Sequence, residues 1–430
     1  MTAGSKTLRT LFIWARVILL ALCLLVALLG LLRNTVEAET ADCGTTTDER
    51  LVLNGDNAHC SQVRPTNNPR SWIQANQSGF GNPRNTNIGF LEVFNGNLYA
   101  GTWRPAGNEE AEIWRSSNGN SWEQLTFSWV LTPNAMLDAQ AFGNYLYVGT
   151  ASTTPFDFST AELWRTNGVT WTQVVSNGFG SFYNNSISAL SVFSESIYAA
   201  TTNVISGTQV WRSPSGSTGT WSQVVPSSFG ETGSTQNDVT MEVFGGSLFV
   251  GIGRIGGAAE LWKTSNGLSW SPVFTDGLGT ANNTHVASFA SYDGDFYLGL
   301  RNVTTGGEIW KSSDGISFTP VITGGFGNLS NSRPYGLMVY EQYLYAMVGN
   351  QNTGTEVWRM SDGSSWERVI DRGFGDAQNQ IAAYFDKALA LFDGGLFVGT
   401  LNDVTGGQVW RTGPYLVFLP AVIKDVSGNQ

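Results

Sequence analysis

The chain has 430 residues, a formal net charge of −11, 13% charged residues and 51 glycines. An acidic chain with no basic run after Arg33 is not expected to bind nucleic acid or to dock on anionic lipid headgroups. Its two histidines, His59 and His285, offer little material for a zinc hydrolase or a Ser-His-Asp triad. We therefore expect no metal and no cofactor.

The N-terminal region has the pattern of an export segment. Lys6, Arg9 and Arg16 precede the apolar run Val17 to Leu32. The length of this run lies between a signal-peptide core and a full membrane span, so residues 1–38 are predicted to be a signal peptide or an N-terminal membrane anchor through residues 11–32. Both fates place the rest of the chain outside the cytoplasm, secreted or attached to the membrane.

Residues 39–70 are predicted to be a polar linker, punctuated by Pro65 and Pro69. Cys43 and Cys60 flank a short polar segment of it. In an oxidising compartment such a pair favours a disulfide. Metal binding by the two cysteines with His59 is the weaker alternative.

A tryptophan recurs at intervals of 47 to 52 residues, after a short β-prone run such as AEIW. The positions are Trp114, Trp164, Trp211, Trp262, Trp310, Trp358 and Trp410. A fixed period near fifty residues predicts a repeat protein. A second aromatic column follows about eight residues later and includes Trp72, Trp122, Trp270, Phe318 and Trp366. The default role of these rings is packing between sheets.

Each repeat contains four strand-length segments bounded by Gly, Asn, Asp and Ser, which we name strands A to D. In the first repeat A ends at Phe94, B covers Leu98 to Thr102, C covers Glu112 to Arg115 and D covers Trp122 to Leu125. The other A strands are predicted to end at Phe142, Phe193, Phe244, Tyr292, Tyr340 and Phe392. Four antiparallel strands per fifty residues match one propeller blade. A linear stack of such units is the alternative, but it leaves two exposed sheet edges.

The first and last repeats are incomplete in complementary ways. A D strand with its Gly-Phe-Gly turn, SWIQANQSGFG from Ser71, precedes the first A strand, and the last repeat stops after strand C. We therefore predict an all-β, seven-bladed propeller over residues 71–412, closed when the N-terminal strand completes the last blade. The alternative is that Tyr415 to Leu419 supplies the missing strand. Residues 413–430 form an apolar, then charged tail.

The turn between strands C and D is the most specific motif. It reads SNGNSW from Ser117, SNGLSW from Ser265, SDGISF from Ser313 and SDGSSW from Ser361. This resembles the Asp-box, S-x-D-x-G-x-T-W, of sialidase-type propellers, although the motif here is one residue shorter and Asn often replaces Asp. The resemblance implies that these turns stabilise the fold on the face opposite an active site. Asp314 and Asp362 are accordingly not assigned to catalysis.

Function is therefore expected on the face formed by the B–C loops and the D–A crossovers. The second B–C loop position holds Arg104, Ser152, Asn203, Arg254, Asn302, Asn350 and Asn402. These side chains either bind a hydroxyl-rich ligand or satisfy the loop backbone. An aromatic patch is expected beside them, formed by Trp103, Trp129, Phe156, Phe158 and Tyr183 with Asp157.

Two functions remain open. The favoured one is an exported, monomeric, non-catalytic propeller that binds a glycan or protein at the cell surface. The alternative, implied by the Asp-box resemblance, is a glycoside hydrolase. A sialidase-like site would draw on Arg104, Arg254, Arg301, Arg333, Tyr335 and Glu242. A carboxylate pair would come from Asp157, Asp238, Asp386 and Asp403.

Overall fold

The computed structural model describes residues 49–54, 57–62, 71–104, 110–126, 133–151, 160–203, 205–226, 229, 239–254, 256–380 and 387–413. The chain divides into two compact units, Met1–Asn68 and Pro69–Gln430. In the first unit β1 (Glu49–Asn54) pairs antiparallel with β2 (Asn57–Gln62), so the expected linker contains a hairpin. Cys60 lies on β2, while Cys43 lies outside the described residues, and the disulfide stays a prediction.

Among the residues described, no helix is both long and apolar enough to cross a bilayer. The predicted export segment, residues 1–38, falls outside that part of the chain.

The second unit begins with β3 (Trp72–Gln74) and continues into three blades that are joined into one twelve-stranded sheet. Blade 1 contains β4 (Asn87–Phe94), β5 (Asn97–Trp103), β6 (Ile113–Ser116) and β7 (Glu123–Leu125). Blade 2 contains β8 (Ala135–Phe142), β9 (Tyr145–Ala151), β10 (Leu163–Thr166) and β11 (Trp171–Val175). Blade 3 contains β12 (Asn184–Phe193), β13 (Ser196–Asn203), β14 (Gln209–Ser213) and β15 (Ser222–Val225).

Four separate four-stranded sheets follow. Blade 4 contains β16 (Val239–Phe244), β17 (Ser247–Ile252), β18 (Glu260–Thr264) and β19 (Ser271–Phe274). Blade 5 contains β20 (His285–Tyr292), β21 (Asp295–Arg301), β22 (Glu308–Ser312) and β23 (Thr319–Ile322). Blade 6 contains β24 (Asn331–Tyr340), β25 (Tyr343–Asn350), β26 (Glu356–Met360) and β27 (Trp366–Ile370). Blade 7 contains β28 (Leu389–Phe392), β29 (Gly395–Gly399), β30 (Val409–Thr412) and, as its fourth strand, β3.

The blades form a closed ring. The first strand of each blade contacts the first strand of the next, and β28 of blade 7 contacts β4 of blade 1. β3 pairs antiparallel with β30 in the register Trp72↔Thr412, Ile73↔Arg411 and Gln74↔Trp410. The predicted propeller fold and its closure by the N-terminal strand are confirmed, and every A strand ends at the predicted aromatic residue. Residues 415–419 lie outside the described chain.

Aromatic residues hold adjacent blades together. The second strand of each blade carries a buried ring at the same position, at Tyr99, Tyr147, Tyr198, Phe249, Tyr297, Tyr345 or Phe397. Burying such a ring contributes about 2–3 kcal/mol to folding. The tryptophan column adds a second layer at the blade edges.

In four D–A crossovers a Gly-Phe-Gly turn places a phenylalanine against a tryptophan of the next blade, namely Phe80, Phe179, Phe326 and Phe374. Phe374 has a positive φ of 62°, an uncommon conformation for a bulky residue, and its ring stacks on Trp410 at 4.8 Å between centroids. Phe80 stacks in the same way on Trp114 at 4.7 Å. The preceding glycine is required, because a Cβ on Gly178 would lie 2.6 Å from the Asn184 carbonyl oxygen. Ring stacking offsets the strained backbone.

The C–D turns are closed by their Asp or Asn side chain. Asp362 Oδ1 accepts the backbone N–H groups of Ser365 at 2.7 Å and Ser364 at 2.9 Å. These hydrogen bonds favour the carboxylate and lower the pKa of Asp362 to about 2. Asn118 makes the corresponding contacts without a charge, at 2.9 Å to Asn120 and to Ser121. The turn therefore needs an oxygen acceptor rather than a negative charge.

Candidate functional site

The loops of each blade separate into two faces. The B–C loops lie against the D–A crossovers, as seen where a Cβ on Gly306 would lie 2.5 Å from the Gly325 nitrogen. We call this side the loop face. The A–B and C–D turns meet on the other side, where the Tyr292 hydroxyl donates to the carbonyls of Gln342 and Ser361.

On the loop face, the asparagine at the second B–C position is bound within its own blade. Asn302 is fully buried, and its Oδ1 accepts the backbone N–H groups of Thr304 at 3.0 Å and Thr305 at 2.8 Å. Its Nδ2 donates to Asn283 Oδ1 at 2.9 Å. Asn203, Asn350 and Asn402 make the same contacts with Asn184, Asn331 and Asn379.

The crossover asparagine extends this network to the tryptophan column. Asn283 Nδ2 donates to the Gly277 carbonyl at 2.9 Å and to Glu308 Oε2 at 2.8 Å. The same Glu308 oxygen accepts the Trp310 indole N–H at 2.8 Å. Asn331 and Trp358 converge in the same way on Glu356 Oε2, both at 2.9 Å. One oxygen thus serves a buried amide and a half-buried indole, and the buried amide would be costly to leave without an acceptor.

In two blades a neutral glutamine replaces the glutamate that lies two residues before the column tryptophan. Gln408 Oε1 accepts from Asn379 at 2.7 Å and from Trp410 at 3.0 Å. Gln209 Oε1 accepts from Asn184 and Trp211 at 3.0 and 3.3 Å. The contacts therefore do not require the negative charge of glutamate, and the residue at this place in strand C has a structural role.

These contacts revise the predicted polar ring. The amide groups of Asn203, Asn302, Asn350 and Asn402 are engaged inside the blades, which is the alternative in which loop asparagines satisfy backbone. Arg104 replaces asparagine in blade 1, where its Nε donates to Asn85 Oδ1 at 2.6 Å and its Nη2 pairs with Glu112. Arg254 pairs with Glu260 at 2.6 Å in blade 4.

The expected aromatic patch is also corrected at Trp103. Its side chain is only 8% exposed and packs among Ala135, Leu137 and Ala151, because the end of β5 pairs with the start of β8. Tyr183, 55% exposed, does lie open on the loop face. Trp129, Phe156, Asp157 and Phe158 lie outside the described residues.

Of the carboxylates expected to supply a glycosidase pair, only Asp403 lies within the described residues, on an exposed B–C loop. Glu242 lies toward the A–B turn end of β16, whereas Tyr335 lies toward the loop-face end of β24. The residues expected to form a sialidase-like group are therefore not all brought together.

Cationic side chains do gather on the loop face of blades 4 to 6. Backbone hydrogen bonds place their segments side by side: Arg254 N–H donates to Thr284 O at 2.8 Å and Asn302 N–H to Ser332 O at 2.8 Å. Arg301 Nη1 donates to Thr284 Oγ1 at 3.0 Å. The Arg333 guanidinium lies 4.6 Å from the centre of the Tyr335 ring. We call Arg301, Arg333, His285 and Tyr335 the cationic cluster.

His285 is neutral in this cluster. Burial, together with the charges of Arg333 and Arg301, lowers the pKa of His285 to about 2. Its Nδ1 lies 2.8 Å from Thr284 Oγ1, the hydroxyl that accepts from Arg301. The hydroxyl can then donate to Nδ1, which leaves the proton on Nε2. Arg301 is the partly exposed guanidinium of the cluster, while Arg333 and the neutral His285 are buried beneath the surface.

Sequence analysis did not single out Glu92, a carboxylate on the innermost strand of blade 1. Burial raises the pKa of Glu92 to about 7, although Lys387 and the Ala141 N–H oppose that shift. Glu92 pairs with Tyr99 toward the A–B turn end of β4. The sequence feature that could have identified Glu92 is a charged residue within strand A. Glu242 occupies the same place in β16.

Within the described residues, no group of three or more His, Cys, Asp or Glu side chains is arranged to hold a metal ion.

No family model matches the chain, and no curated protein matches it. Among solved structures it is similar to the polysaccharide lyase Uly1, with a TM-score of 0.47, 10% identity, and coverage of 78% of this chain and 91% of that one. It is similar to the phage phi92 endosialidase, with a TM-score of 0.44, 12% identity, and coverage of 80% and 68%. The β-propeller domain of the Trilobed protease from Pyrococcus furiosus gives a TM-score of 0.45, 7% identity, and coverage of 76% and 95%. At these values the likenesses carry no argument about activity, and the count of seven blades rests on the strand pairing of this chain.

Proposed function

We propose that this chain is an exported, non-catalytic β-propeller that binds a carboxylate-bearing glycan or protein segment through the loop face of blades 4 to 6. The observation that carries the proposal is the cationic cluster of Arg301 and Arg333 beside neutral His285. Guanidinium groups recognise carboxylates through paired, charge-assisted hydrogen bonds.

The charge balance of the chain supports this choice of ligand. A protein with a formal charge of −11 repels anions in general, so a local concentration of guanidinium groups is needed to attract one. Arg301 is only partly buried, and within the described residues it forms no ion pair. Its remaining N–H donors are suited to an incoming carboxylate.

The absence of catalysis is proposed from the use of the carboxylates on this face. Glu112, Glu162, Glu308 and Glu356 each accept a tryptophan N–H, and Gln209 and Gln408 do so in two other blades. A group that glutamine replaces without a change in its contacts serves as a structural acceptor rather than as a general acid or base.

The test is calorimetric titration with tetragalacturonate, sialyllactose and a hyaluronate oligosaccharide. Arg301→Gln removes the charge but keeps hydrogen-bonding ability, and we expect it to weaken binding of the recognised acid by about 10- to 100-fold. Arg368→Gln is the matched control, because it makes the same change of charge on the outer edge of blade 6, where Arg368 is exposed. Equal affinities of the two variants, or no binding of any of the three acids by the unmodified protein, would contradict the proposal.

A glycoside hydrolase remains the second candidate because the raised pKa of Glu92, about 7, is what a general acid requires. Its position argues against cooperation with the cationic cluster. Ala290 of blade 5 occupies the strand position that Glu92 has in blade 1. It is five residues along β20 from His285, a separation of about 16 Å, so Glu92 lies at a different depth in the propeller from the cationic cluster. Hydrolysis of an acidic oligosaccharide that is lost in Glu92→Gln would favour this second function.

We also propose kinship with Asp-box propellers. Its support is the turn geometry, in which Ser116 Oγ accepts the Gly119 N–H at 2.8 Å and Asn118 Oδ1 caps the following two residues. The short motif and the frequent asparagine separate this chain from the usual pattern.

A further inference from the structure

A cavity of about 330 Å³ lies at the seam where the ring closes, between blade 7 and blade 1. Its aromatic wall is formed by Phe80, Trp114 and Trp122, and its polar wall by Gln74, Gln77 and Asn120. A volume of this size is at the lower end of the range for small-molecule sites.

The closing strand β3 explains why a cavity forms at this seam. Ala75 lies three residues after Trp72, the member of the second aromatic column in β3. At the same distance from that column, other blades have a valine: Val174, Val224, Val273, Val321 and Val369. The next residue of β3's segment is Asn76, whereas the same five blades have an apolar residue there: Val175, Val225, Phe274, Ile322 and Ile370. A smaller and a more polar side chain thus replace two apolar ones that fill the equivalent space elsewhere.

The change also alters the pairing at the end of the blade. In blade 6 Ile370 pairs with Val357 through the backbone, after a bulge. In blade 7 the Val409 N–H instead donates to the Asn76 side-chain oxygen at 2.7 Å. The backbone of Ala75 remains engaged, since its carbonyl accepts the Trp122 indole N–H at 2.9 Å. The seam is therefore built and hydrogen-bonded around the cavity rather than left open by missing contacts.

We propose that this cavity is a binding site for a neutral sugar unit, separate from the cationic cluster. The residues that line it carry aromatic surfaces and side-chain amides but no ionisable group. Aromatic faces pack against the C–H surface of a pyranose ring, while amides donate to and accept from its hydroxyl groups. An anionic ligand would find no compensating charge here.

The experiment is titration of the full chain with cellotetraose, laminaritetraose and chitotetraose, followed by tryptophan fluorescence and calorimetry. Ala75→Val restores the residue that other blades carry and narrows the cavity, and we expect it to weaken binding at least about tenfold. Gln77→Ala removes an exposed amide with little risk to folding, and we expect a smaller loss in the same direction. Val369→Ala, the reverse change at the neighbouring seam, is the matched control and should leave affinity unchanged.

The two sites are distinguished by Arg301→Gln, which should leave neutral-sugar binding intact. The proposal is overturned if the unmodified protein binds none of the three neutral oligosaccharides, or if Ala75→Val and Gln77→Ala both bind like the unmodified protein. It is also overturned if Val369→Ala weakens binding as much as Ala75→Val. None of these results depends on whether an acid binds at the loop face.

Discussion

At the scale of single residues, the main finding is that in five blades one side-chain oxygen of strand C accepts from both a crossover asparagine and a column tryptophan. Glu308 Oε2 joins the crossover through Asn283 and the tryptophan column through Trp310. Because Asn283 is buried and Trp310 is half-buried, the contacts contribute to stability mainly by avoiding unsatisfied polar groups.

Glutamine should therefore replace Glu308 at little cost. We expect Glu308→Gln to change the free energy of unfolding by less than about 1 kcal/mol, because one oxygen is kept, whereas Glu308→Leu should cost about 2–4 kcal/mol. Urea denaturation of both variants measures the difference. Equal destabilisation by the two substitutions would show that the charge, and not the acceptor, is what the blade needs.

Glu92 predicts a pH-dependent stability. Its pKa is raised to about 7 in the folded protein, so protonated Glu92 is favoured by folding. The resulting stabilisation is complete below the unfolded pKa, near 4.5, and is lost as the pH rises through 7. Its size is about 1–3 kcal/mol, since a one-unit shift corresponds to about 1.4 kcal/mol and solvent screens the half-buried side chain.

The check is urea denaturation of the unmodified protein and of Glu92→Gln at several pH values from 4.5 to 8. The stability of the unmodified protein relative to the variant should fall as the pH rises from 4.5 to 8, because glutamine does not titrate. Parallel curves for the two proteins would place the titrating group elsewhere.

At the scale of elements, the periodicity of the sequence was sufficient to position the strands. Turn residues and aromatic columns bound each A strand, and all seven end where expected. Strands C and D of blade 1 begin one residue later than predicted, at Ile113 and Glu123. Such shifts arise because strand ends depend on which backbone groups find partners across the sheet.

Strand β3 should be essential to the ring. Deletion of residues 71–80 removes the fourth strand of blade 7 and the contact of Trp72 with Phe374, so we expect a loss of at least about 3 kcal/mol in unfolding free energy. Deletion of residues 39–70 is the control, because it leaves β3 in place. If both deletions melt at the same temperature, closure by β3 does not stabilise the propeller.

At the scale of the whole molecule, the site was harder to predict than the fold. The repeat identifies the B–C position, but it does not show that Asn302 faces its own crossover rather than the central channel. It also does not show that the end of β5 buries Trp103 against the next blade. The cationic cluster depends on contacts between blades 5 and 6, where Arg333 acts on His285, a residue 48 positions earlier in the chain.

The most direct test of the central claim is the fate of an acidic oligosaccharide at the loop face. Tetragalacturonate, sialyllactose and a hyaluronate oligosaccharide are each titrated into the protein at low and at high salt, and the sugar is then recovered and sized by mass spectrometry. We predict binding of at least one acid that weakens as salt screens the guanidinium charges, with the recovered sugar intact. Binding that is insensitive to salt, or recovery of shortened products, would contradict a non-catalytic site built on the cationic cluster.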